Sequence, residues 1–181
     1  MEAAAREFSR HGYQHTTVGQ VAAAAGVSLG TVYQYFRDRS DLVAALCQRH
    51  LAQMLGGADP EWRPSEGLPG IERVLLNFVR SYETAAGMAA VWEEVSVLDP
   101  DLAELRRSLS RVFTEGVEKA LAGVPGLAVD PRLAAIALTS MVDRYCSVTY
   151  VFDPPPGGPP PPEESASVLA RLWSGGIGLG A

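Results

Sequence analysis

Apolar residues recur three and four positions apart along nearly the whole chain, and no stretch shows the strict alternation of a half-buried strand. That periodicity directs the 181 residues to an all-α fold. The first stripe, about residues 2–11, carries Ala4 and Phe8 and stops at Gly12, where a left-handed cap is expected. A second helix is expected from Thr17 to about Ala25, because Thr17-x-x-Gln20 fits a capping box. A third starts at Ser28 and ends near Tyr35, with Val27 and Val32 spaced as a hydrophobic staple. A fourth, longer helix begins near Asp38 and carries Leu42, Leu46 and Leu51 before Gly56-Gly57.

Pro and Gly concentrate from Asp59 to Pro69, which predicts a boundary between a domain of residues 1–50 and one of residues 51–181. Beyond it, Ile71, Val74, Leu75, Phe78, Val79 and Tyr82 form one helical stripe, and Met88, Val91, Trp92 and Val95 another. Leu102, Leu105, Leu109, Val112, Phe113 and Val117 form a third, opened by Asp99-Pro100. The segment 132–152 is apolar on most faces and is expected to be largely buried. Asp153 to Pro162 holds seven prolines and two glycines, which no helix tolerates, so a stiff exposed loop is expected. A short last helix, about Glu163 to Ser174, precedes a loose Gly-rich tail and brings the helices to about nine.

Composition narrows the function classes. An apolar content of 47% with 20% charged residues is that of a soluble globular protein and excludes general disorder. No apolar run reaches the length of a membrane span, and the N-terminus lacks a signal-peptide layout, so a cytoplasmic protein that avoids membranes is expected. Cys47 and Cys146 read as buried thiols, with no metal site and no cofactor implied. The net charge of −6 is unevenly placed: residues 1–50 carry five arginines against four acids and all three histidines, and the remainder carries ten basic and seventeen acidic residues. A helical-bundle enzyme finds no support, because metal-ligand spacing, a Gly-rich phosphate loop and GxSxG are all missing from the sequence.

The informative segment runs from Thr16 to Phe36. Ala22 is the small residue at which two steeply crossed helices can touch, Gly26 supplies a positive-φ turn, and Val32 is the apolar plug of the following helix. This is the layout of a helix-turn-helix, whose second helix shows slender groups (Ser28, Leu29, Gly30 and Thr31) to base edges.

The match extends further. Ala4-Ala5-Arg6-Glu7-Phe8, Gly12-Tyr13, Thr16-Thr17-Val18, Ala25-Gly26-Val27-Ser28, Gly30-Thr31-Val32-Tyr33, Tyr35-Phe36 and Arg39-x-x-Leu42 resemble the N-terminal domain of the TetR family over residues 3–46. The chain begins inside what is usually the first helix, without a basic arm, and Arg39 stands where lysine is usual. The resemblance implies a three-helix helix-turn-helix domain followed by a helical domain for ligand binding and dimerisation. It implies a homodimeric, ligand-responsive repressor on palindromic double-stranded operator DNA; a DNA-binding dimer without an effector is the alternative.

By the same resemblance Thr17, Tyr35 and Arg39 would contact phosphate, while Leu29, Thr31, Tyr33 and Gln34 would face the major groove. Thr17 can equally be only a cap, Tyr35 only packing, Arg39 only a solvated charge, and Tyr33 core. Phe78, Tyr82, Met88, Trp92, Phe113, Met141 and Tyr145 would line a cavity for a largely apolar small molecule, and each is also compatible with ordinary core. Arg144 beside Asp143 is a possible polar anchor or a salt bridge. Val168, Leu169, Leu172 and Trp173 would form the dimer interface.

Overall fold

A computed structural model describes residues 1–56, 62–84 and 86–178. Among them the chain forms nine α-helices and no strand, as the periodicity predicts. These are α1 (Glu2–His15), α2 (Val18–Ala25), α3 (Leu29–Tyr35), α4 (Arg39–Gly56), α5 (Gly67–Thr84), α6 (Ala86–Leu98), α7 (Pro100–Ala122), α8 (Pro131–Ser147) and α9 (Pro162–Gly176). A 3₁₀ turn at Pro64–Glu66 precedes α5, and α8 runs into a π-turn at Val148–Phe152. The Leu51 side chain, Gly57 and the Asp59–Glu61 part of the expected boundary lie outside the described residues.

Several helix ends follow from single residues. Gly12 takes φ 75°, ψ 174° and breaks α1 three residues before its end. The Asp38 carboxylate accepts the Asp41 N–H at 2.8 Å at the start of α4. At the start of α7, Asp99 Oδ1 accepts the N–H groups of Asp101 and Leu102 at 3.1 and 3.2 Å. Asp130 opens α8 by accepting the Leu133 N–H at 2.8 Å, with Pro131 next in the helix.

The chain divides into two compact units, residues 1–53 with 85–108, and residues 54–84 with 109–181. In the first, Ala4, Phe8, Tyr13, Val21, Leu42, Val43, Leu46 and Cys47 close on Met88, Val91, Val95 and Leu102, so α6 packs with the N-terminal helices. Val18, Ala22 and Val32 make a smaller core that holds α2 to α3. In the second unit Ile71, Leu75 and Val79 of α5 pack with Leu138, Val142 and Cys146 of α8 and with Leu169 and Trp173 of α9.

One expectation is overturned here. The segment 132–152 is buried on one face only: Ala135, Leu138, Thr139, Val142 and Cys146 turn inward, while Leu133 is 67% exposed and Ile136 46%. An apolar helix buries only the face that meets its own chain, and among the described residues the opposite face of α8 stays largely exposed. Residues 154–161 form no helix, and Pro162 opens α9, as the proline content predicts.

Candidate nucleic-acid interface

The helix-turn-helix is built from local hydrogen bonds. Thr17 Oγ1 accepts the Gln20 N–H at 3.2 Å and Gln20 Oε1 accepts the Thr17 N–H at 2.7 Å, the reciprocal pair of a capping box. Gly26 ends α2 in the left-handed region at φ 68°, ψ 27°. Its N–H donates to Ala23 O at 3.1 Å and the Val27 N–H to Ala22 O at 3.1 Å, a Schellman closure that turns the chain into α3. Ser28 then caps α3, its Oγ accepting the Thr31 N–H at 3.1 Å and lying 2.8 Å from Thr31 Oγ1. Val27 stays exposed while Val32 is buried, so the pair is split between solvent and core.

Only Val32 of α3 is buried. Leu29, Gly30, Tyr33, Gln34 and Tyr35 are exposed, Tyr35 at 77%, and Thr31 is partly so. Thr17 and Ser28 are exposed beside them. Tyr33 is therefore surface rather than core. A short helix held by one plug, its other side chains turned outward, is shaped to enter a groove.

Arg39 is turned differently. Its Nη1 donates to the carbonyls of Tyr13, Gln14 and Thr16 at 3.0, 3.2 and 3.4 Å, and its Cζ lies 4.1 Å from the centroid of the Tyr13 ring. Glu94, which the sequence gives no reason to single out, accepts the N–H groups of Tyr13 and Gln14 at 2.7 and 3.0 Å. No local signal could have found it, because Glu94 and Tyr13 are 81 positions apart.

The residues expected around an effector separate. Phe78 stacks on Phe113 with centroids 5.4 Å apart and lies 5.5 Å from the Tyr82 ring. Tyr82 donates to Asp143 Oδ1 at 2.7 Å, and burial first, then the Asp143 charge, pushes its phenol well above the usual range. Met141 and Tyr145 pack partly buried on the same core, with the Tyr145 hydroxyl 2.8 Å from Ser165 Oγ. Arg144 is exposed. Met88 and Trp92 instead pack in the first unit, with Phe8, Val91 and Leu102. The dimer residues separate too: Leu169 and Trp173 are buried in the core of their own chain, and Val168 and Leu172 are 49% and 55% exposed.

Comparison with known proteins agrees with this geometry. Residues 1–46 match the family described as bacterial regulatory proteins, tetR family. The chain is 25% identical over 149 residues to the uncharacterized HTH-type transcriptional regulator YhgD of Bacillus subtilis, covering 78% of this chain and 77% of that one. It is 30% identical over 87 residues to the HTH-type transcriptional regulator AcrR of Shigella flexneri, covering 46% of this chain and 40% of that one. The fold superposes on the transcriptional regulator FadR from Bacillus subtilis, solved in complex with stearoyl-CoA, with a TM-score of 0.78 at 18% identity over 97% of this chain and 96% of that one. The chain is a DNA-binding transcriptional regulator whose residues 1–46 match the TetR family and whose fold as a whole is that of solved transcriptional regulators.

Proposed function

We propose that the protein is a ligand-responsive repressor that binds a palindromic operator as a homodimer and leaves it when a largely apolar small molecule binds. The observation that carries the reading is α3, anchored by Val32 alone and exposed at Leu29, Gly30, Tyr33, Gln34 and Tyr35. Leu29, Thr31, Tyr33 and Gln34 face the major groove, with Ser28 and Gly30 leaving room for close approach; Thr17 and Tyr35 reach phosphate. A two-fold dimer repeats α3 on the next half-site, which makes the operator a palindrome.

Leu133 and Ile136 on α8 and Val168 and Leu172 on α9 are exposed apolar side chains, which a second copy would cover. The effector region is the Phe78, Tyr82 and Phe113 ring cluster with Met141 and Tyr145, and excludes Met88 and Trp92, which belong to the first unit's core. In such a site apolar walls take the body of a ligand, and the Tyr82–Asp143 pair offers a polar group to orient it.

The ligand can release DNA only by preferring a conformation that misplaces the recognition helices, and operator DNA must weaken the ligand by the same factor. The test is a screen of acyl-CoA thioesters and other apolar compounds for release of operator, followed by ligand titration with and without operator on the wild type and Phe78→Ala. A 5–150-fold difference, about 1–3 kcal/mol of coupling, is expected. Equal affinities would leave a DNA-binding dimer without an effector switch.

A further inference from the structure

We infer that Arg39 and Glu94 are positioning residues for DNA reading, gripping the chain reversal at residues 12–17 from two different helices. The need for them begins at Gly12. Its φ of 75° breaks the helical ladder, so the polar groups of the following residues need partners outside α1. Two N–H groups, those of Tyr13 and Gln14, go to the two oxygens of the Glu94 carboxylate on α6. Three carbonyls, those of Tyr13, Gln14 and Thr16, go to one nitrogen of Arg39 at the start of α4.

The site is closely built. A Cβ on Gly12 would come within 2.9 Å of Glu94 Oε2, and the guanidinium lies over the Tyr13 ring. Asp99 adds a third tie, accepting from Ser40 Oγ at 2.5 Å and from the Tyr13 hydroxyl at 3.4 Å. These bonds are charge-assisted and fix direction as well as distance. The next residue, Thr17, caps α2, and α2 holds α3 through Val18, Ala22 and Val32. Whatever sets the turn therefore sets the recognition helix. Arg39 acts on DNA through this turn and is not a phosphate ligand.

The inference rests on α3 being the DNA-reading helix, and the experiment separates the two. Full-length wild type, Glu94→Gln and Arg39→Ala are titrated with an operator selected from random duplexes and with an unrelated duplex, across salt concentrations. Removing the Glu94 charge by electrostatics alone strengthens binding to any DNA. Positioning predicts instead that the ratio of specific to non-specific affinity falls by roughly tenfold, the size of one lost base contact. Partial unfolding lowers both affinities together and leaves that ratio unchanged. For Arg39→Ala the same fall is expected with the salt slope of the wild type.

A slope shallower by about one per subunit, with all DNA weakened alike, would make Arg39 a phosphate ligand and overturn its assignment. An unchanged ratio in Glu94→Gln would overturn that of Glu94. A wild type that selects no sequence would contradict the reading of α3 itself, and the inference with it.

Discussion

A β-carbon on Gly87 would stand 2.5 Å from the Cβ of Ser9 and 3.2 Å from its Cα, so at this point α6 approaches α1 too closely for any larger residue. The contact lies on the same pair of helices that Glu94 joins further along. Gly87→Val must push the helices apart, and a cost of roughly 1–3 kcal/mol is expected for such overpacking. Urea unfolding measures it. Ser9→Gly in the same background removes the clashing Cβ and Oγ and should recover most of the loss, a coupling that independent sites would not show.

His50 gives a pH dependence of defined sign. It sits half-buried on α4, and burial holds its pKa below the ordinary histidine value, so the folded state favours the neutral ring. The unfolded chain then takes up this proton more readily. Stability from His50 is fully present above the unfolded pKa of about 6.5 and is lost as the pH falls below it toward the lowered folded value. Between pH 7.5 and 5.5 the urea midpoint of the wild type should drop more than that of His50→Gln. An equal drop in both would assign the effect elsewhere.

What the sequence makes legible is what a few neighbouring residues decide. The capping box of Thr17 and Gln20, the left-handed Gly26, the Ser28 cap and the buried Val32 all follow from contacts within five positions. Faces set by distant partners are not legible in this way. Val168, Leu169, Leu172 and Trp173 share one apolar stretch, and only the position of the second unit's core decides that Leu169 and Trp173 turn inward. That Met88 and Trp92 pack with Phe8 of α1 in the first unit's core is decided by contacts distant in sequence. The hold of Arg39 on the carbonyls of Tyr13, Gln14 and Thr16, 23 to 26 positions away, is likewise visible only in the fold.

The burial pattern also sharpens the dimer prediction. Trp173→Ala would hollow the core of a single chain and confuse misfolding with dissociation. Val168→Asp with Leu172→Asp changes only exposed positions and should leave the fold intact by circular dichroism. Sedimentation should then show monomers, with operator affinity lost because one half-site alone is weakly held. A double variant that sediments as a dimer would place the interface elsewhere.

Whether α3 reads a two-fold operator sequence is decided by selection of random duplex DNA with the purified wild type, followed by sequencing of the bound pool. One enriched palindrome is expected, with half-sites spaced by about one helical turn or a multiple of it. The same selection with Tyr33→Ala or Gln34→Ala should relax the preference at particular base pairs by about 1–3 kcal/mol each and leave non-specific binding in place. A pool with no enriched sequence, or an enriched sequence that neither variant changes, would mean that α3 does not read the operator.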